Sequence, residues 1–129
     1  MNYYSIDLNG EEIKFRLTSA DSMAIEKRFG VKLLDYIQDY SVTTVVNLLM
    51  YMRRGAGESN FNERQACELY DNLTNNGYTL EEIITKVIYE TAVVSGFLKK
   101  EELDKMLEEK TELQNQLREK KKREILQEQ

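Results

Sequence analysis

The chain has 129 residues, enough for one domain, of which 41% are hydrophobic and 32% charged. It has no histidine, one cysteine (Cys67) and a net charge of -5. That composition excludes Ser-His-Asp and Cys-His chemistry, Cys/His zinc sites and any intrachain disulfide. The acidic balance offers nothing to a nucleic-acid backbone. The longest apolar run, 45–52, contains Asn47 and is too short to cross a bilayer. A lone thiol suits a reducing compartment, and residues 1–6 lack the basic-then-apolar pattern of a signal peptide, so the expected location is cytoplasmic.

Residues 3–17 predict a β-hairpin. Tyr4, Ile6 and Leu8 alternate with polar residues, as do Ile13, Phe15 and Leu17. Asn9-Gly10 supplies the positive φ angles of a tight turn, although Glu11 and Glu12 leave room for a longer loop. An isolated hairpin is marginal in water, so one face must be covered. Thr18 with Asp21 resembles a weakened capping box, opening a helix that Gly30 stops after Phe29; Met23, Ala24, Ile25 and Phe29 are its apolar content. A short helix is predicted over 33–38. Ser41 caps a third helix to about Arg54, with Gly55 beyond it. Apolar residues on nearly every side of it, from Val42 to Met52, mark the central, buried element.

After a loop over 55–61, Asn62 with Gln65 caps a helix carrying Ala66, Leu69, Tyr70 and Leu73, and Asn75-Asn76-Gly77 ends it. Thr79 with Glu82 is a good capping box, with Tyr78 placed to staple onto Ile83. Leu80, Ile83, Ile84, Val87, Ile88 and Val94 form the inward stripe of this fifth helix. Gly96 terminates it, and Phe97 or Leu98 folds back in a Schellman contact.

Composition changes at Lys99. Residues 99–129 hold nine basic and nine acidic groups, so 18 of 31 are charged; residues 1–98 hold nine basic and 14 acidic groups and therefore the whole net charge of -5. The tail has no Gly or Pro. Its acids cluster early (Glu101, Glu102, Asp104, Glu108, Glu109) and its bases late (Arg118, Lys120 to Arg123), an order that complements a helix dipole. Glu101 with Lys105 and Glu119 with Arg123 are favourable i,i+4 pairs. The expected fold is mainly α: a domain over 1–98, with an N-terminal β-hairpin and a compact bundle of about five helices, and a long charged C-terminal helix over 99–129 that is not a core helix.

No catalytic, cofactor-binding or metal-ligating residue is predicted. The carboxylate pairs Glu11-Glu12, Glu81-Glu82, Glu101-Glu102 and Glu108-Glu109 are sequence neighbours, and neighbours on a helix do not share a face. Cys67, beside the stripe residue Ala66, is expected to be buried and structural. Lys120-Lys121-Lys122-Arg123 lacks interleaved aromatics and is assigned to a solvated helix end rather than to nucleic acid. Leu103, Met106, Lys110, Leu113 and Leu117 have heptad spacing with one polar interruption. They fit either a seam for a partner helix or a second copy, or a single helix with a few apolar residues. Of the eight tyrosines, Tyr51, Tyr70 and Tyr78 are assigned to the core, and Tyr36, Tyr40 and Tyr89 remain surface candidates.

The order of these elements resembles that of the tail assembly chaperones of long-tailed bacteriophages, especially those of Gram-positive hosts. The residues concerned are Phe15-Arg16-Leu17-Thr18-Ser19, then Ile25-Glu26-Lys27-Arg28-Phe29-Gly30, an apolar helix, Asn76-Gly77 with Tyr78-Thr79-Leu80-Glu81-Glu82-Ile83-Ile84, and Val94-Ser95-Gly96-Phe97-Leu98. The resemblance spans about residues 3–98 and rests on order and spacing. It implies a chaperone of the host cytoplasm, absent from the mature virion, that binds the tape measure protein and recruits tail tube subunits. Many such proteins are made in two lengths by a programmed frameshift, and this chain would be the shorter. Self-association, no cofactor, and no membrane or nucleic-acid partner are expected. The alternatives are a small structural tail component or an acidic helical adaptor or regulator. The residues expected to bind a partner are Tyr36, Tyr40, Leu103, Leu107, Leu113 and Leu117.

Overall fold

Alternation and turn chemistry together set the hairpin register. In the computed structural model, which describes residues 2–127, β1 (Tyr4–Leu8) and β2 (Glu11–Phe15) pair antiparallel, Tyr4 opposite Phe15, Ile6 opposite Ile13 and Leu8 opposite Glu11. Met1, and Glu128 and Gln129 at the end of the predicted tail, lie outside the described residues. The loop is the two-residue kind: Asn9 and Gly10 have φ of 54° and 81°, as a type I′ turn requires. The Gly10 N–H also donates to Asp7 Oδ1 at 2.8 Å. Directly opposed residues share a face, and Leu8, Ile13 and Phe15 are buried. Beyond β2 the chain is held by long-range bonds, from Arg16 N–H to the Met52 carbonyl (3.0 Å) and from Leu17 N–H to Ser95 Oγ (2.9 Å).

The predicted caps start the helices. At α1 (Ser19–Phe29) the box is fully reciprocal: Asp21 N–H donates to Thr18 Oγ1 (3.1 Å), while Thr18 N–H and Oγ1–H donate to Asp21 Oδ2 (3.2 and 2.7 Å). Gly30 ends α1 at φ 68°. The inward face of α1 carries Ser22 and Ile25; Met23 is 54% exposed and Ala24 is exposed, so neither adds to the core as expected. Helix α2 (Leu33–Tyr36) is a single turn, shorter than the predicted 33–38, and Glu26 Oε2 accepts the Leu33 N–H at its start (2.9 Å).

Helix α3 (Val42–Gly55), capped by Ser41, is buried without a break from Thr44 through Met52. Its polar members are satisfied. Thr44 Oγ1–H donates to Asp39 Oδ2 (2.7 Å), and Asn47 Nδ2–H donates to the Tyr36 hydroxyl (3.3 Å). Gly55 lies inside α3, not beyond it. A Cβ there would run into the Arg16 carbonyl and sit 2.7 Å from Asp21 Oδ2, so glycine permits a close approach of backbones rather than ending a helix.

Helix α4 (Glu63–Asn75) packs on α3 through an amphipathic face of Ala66, Leu69 and Leu73. Asn62 and Gln65 form its capping box. Gly77 (φ 93°) closes it in a Schellman motif, with Gly77 N–H on the Thr74 carbonyl and Tyr78 N–H on that of Leu73. The fifth predicted helix is interrupted. It consists of α5 (Leu80–Ile83), a π-helical turn (Ile84–Ile88) and α6 (Tyr89–Val94), with Tyr89 N–H reaching back five residues to the Ile84 carbonyl. Leu80, Ile84, Ile88 and Ala92 recur every four residues, and on a regular α-helix such a row drifts by about 40° per step. The wider π turn takes up that drift and keeps Ile84, Ile88 and Ala92 buried together. Gly96 (φ 88°) completes the predicted Schellman end, with Phe97 N–H on the Ala92 carbonyl (2.9 Å).

The chain divides into two compact units, one ending at Leu98 and one beginning at Lys99. The second consists of α7 (Lys100–Gln127), 28 residues and about 42 Å long, with an ion pair between Lys100 and Asp104 at 3.8 Å. The fold is thus mainly α, with an N-terminal antiparallel hairpin and a long C-terminal helix. Among the described residues no helix is long and apolar enough to cross a membrane.

Candidate partner-binding surfaces

The tyrosine assignments divide. Tyr36 is 8% exposed: its ring stacks on Phe29 at 4.6 Å and its hydroxyl takes the Asn47 bond. It is a core residue, and its expected place in a binding surface is corrected. Tyr89, the other misplaced surface candidate, is also buried. Tyr40 is 38% exposed, and its hydroxyl bonds to that of Tyr89 at 3.2 Å. Burial first, and the bond to Tyr40 second, push the Tyr89 hydroxyl pKa well up, so that it stays neutral. Tyr40 is therefore exposed while its hydroxyl is engaged. Tyr51 is buried as expected, and Tyr70 and Tyr78 are half-buried. Cys67 is exposed rather than buried: α4 turns Ala66 inward and the adjacent residue outward.

The body leaves other apolar side chains at its surface, each 40% exposed or more: Met23, Leu34 and Val42, which patterning counts among the apolar content of their helices, and Val31. Val31 and Leu34 lie at the start of α2, and Leu34 also lines a groove of about 440 Å³ whose walls include Glu26, Lys32, Asp35 and Phe97. The sequence signal for Leu34 was its pairing with Leu33. A one-turn helix can bury only one of two adjacent leucines, and here Leu33 is the buried one.

On α7 the four expected residues separate. Leu103 is buried, which corrects its expected place in an exposed binding seam. Leu107 is half-buried. Leu113 and Leu117 are 58% and 56% exposed, one helical turn apart on one face, and every residue from Thr111 to Leu126 is exposed. The dipole account of the charge order also needs correcting. Glu101 and Glu102 occupy the first turn, but among the described residues the last turn contains no basic residue.

Among the described residues no group of three or more His, Cys, Asp or Glu side chains could hold a metal ion. The carboxylate with the clearest shift, Glu82, is held below its ordinary range by Lys86 Nζ at 2.8 Å and then by the Thr79 backbone and side chain. That is the capping box at work, and the pair is exposed. No known protein family, no curated protein and no solved structure matches this chain.

Proposed function

We propose that this chain is a tail assembly chaperone of a long-tailed bacteriophage, acting in the host cytoplasm, where it binds the tape measure protein and recruits tail tube subunits. The observation that carries this reading is the order and spacing of the motifs from Phe15 to Leu98 described above. The surface is compatible with the task. A tape measure segment exposes apolar helical faces before assembly, and a protein that shields it must offer apolar contacts of its own. Here Leu34 and Val31 on the body and Leu113 and Leu117 on the tail are exposed. Several copies along one extended client would add avidity without any new contact.

The test is co-expression with the tape measure protein of the same phage. The tape measure protein should stay soluble and co-purify with the chain. Leu113→Glu with Leu117→Glu should weaken that capture while the chain alone melts as before. A tape measure protein that precipitates equally with and without the chain would overturn the reading. Recovery of the chain from purified virions would instead identify a structural tail component.

A further inference from the structure

We infer that α7 is a self-association element: two copies of this chain pair through their tail helices in the antiparallel sense. This deepens the proposed function: pairing through the tail seam would join copies along one client, so the loss of capture expected of the Leu113→Glu, Leu117→Glu variant is a loss of avidity, and the client contacts lie on the body.

The charge distribution along α7 is the first observation. Residues 100–114 contain three bases (Lys100, Lys105, Lys110) and six acids, a net charge of -3; residues 115–127 contain five bases and two acids (Glu119, Glu124), a net charge of +3. A helix dipole acts on its first and last turns only. Glu108, Glu109 and Glu112 lie two or more turns inside the helix, and among the described residues the last turn holds no base, so the dipole does not account for the segregation. Two parallel helices in register would set -3 against -3 and +3 against +3. Antiparallel helices set each acidic half against a basic one, and charges flanking an apolar seam are what choose between such arrangements.

The position of the exposed seam is the second observation. Leu113 and Leu117 sit near the midpoint of α7. A two-fold axis near Asn115 brings Leu113 of each copy level with Leu117 of the other. The same axis sets the acidic stretch 108–112 alongside the basic stretch 118–123, and it places Glu109 of each copy on the same flank of the seam as Arg123 of the other. Lys110 and Lys120 are level with each other and oppose the pairing. With one central pair of leucines and a seam shorter than three heptads, the association is weak and salt-sensitive.

Sedimentation equilibrium of the full chain alone, at low and high salt, tests this without the tape measure protein, so its outcome is separate from that of the functional reading. The expected result is a monomer–dimer equilibrium that weakens as salt rises. The triple variant Glu108→Lys, Glu109→Lys, Glu112→Lys should weaken it by about tenfold or more, and adding Arg118→Glu, Lys121→Glu and Lys122→Glu should restore it. Circular dichroism checks that α7 stays helical in both. Orientation is read with native charges on a Cys67→Ser background. Met106→Cys and Glu124→Cys chains, whose positions are level and both on the seam, should form disulfide dimers when mixed and few when oxidised separately. A monomer at the highest soluble concentration, association indifferent to salt and charge reversal, or efficient cross-linking of either cysteine variant alone would each overturn the inference.

Discussion

Helices α3 and α7 are helical for opposite reasons. The 14 residues of α3 include β-branched Val42, Thr43, Thr44, Val45 and Val46, poor helix formers on their own, yet the stretch from Thr44 to Met52 is buried. Packing makes that helix. The 28 residues of α7 are rich in Glu, Lys, Leu and Gln, lack Gly and Pro, and are exposed throughout from Thr111 to Leu126. That stretch owes its helicity to propensity, since a helix of this length needs little else to form in part. Helicity alone therefore says little about where a chain's stability lies.

The contrast is most easily broken in the body. Phe15→Ala, which empties a fully buried site in β2, should lower the unfolding free energy by about 3–5 kcal/mol, read from the urea midpoint. Gly55→Ala adds one methyl where the Arg16 carbonyl already lies and should cost about 1–3 kcal/mol in the same measurement, although alanine is the better helix former. Leu113→Ala should leave the unfolding free energy within about 0.5 kcal/mol of the parent. Hydrogen exchange should sharpen the same point, with α3 amides protected up to global unfolding and α7 amides beyond Thr111 exchanging early.

The smallest expected effect is electrostatic. The folded-state pKa of Glu82 is depressed, chiefly by Lys86, so its contribution to stability is fully present above the ordinary glutamate value and is lost as pH falls through the depressed one. Lys86 is shifted up by the same pair, and its contribution disappears only as pH rises through that raised value. Melting curves of the parent and Glu82→Gln should thus differ by a small constant amount near neutrality and converge in acid.

Local chemistry and the burial of α3 are legible in the sequence; contacts between distant elements are not. The boxes at Thr18, Asn62 and Thr79, the Ser41 cap, the Asn9-Gly10 turn and the ends at Gly30, Gly77 and Gly96 each depend on atoms within a few residues of one another. Periodicity does not place Tyr36 and Tyr89 in the core, because their partners come from other elements: Phe29 and Asn47 for one, Tyr40 for the other. A glycine after two arginines reads as a helix end, but the constraint on Gly55, the Arg16 carbonyl, lies 39 residues away. Of the six residues expected to bind a partner, Leu113, Leu117 and Tyr40 remain well exposed. Heptad spacing could select the two leucines but could not show that Leu103, on the same seam, is buried.

The π turn gives the body an unusual tolerance. Removing one residue from the middle of a buried helix ordinarily rotates everything after it by about 100° and turns the apolar face outward. In the segment Leu80–Val94 the surplus residue already resides in the turn Ile84–Ile88, where Lys86 is exposed. Loss of that single codon would change the apolar spacing from four, four, four to four, three, four, the rhythm of an uninterrupted α-helix. At this one place a deletion becomes a conservative change, and relatives one residue shorter here could share the same core.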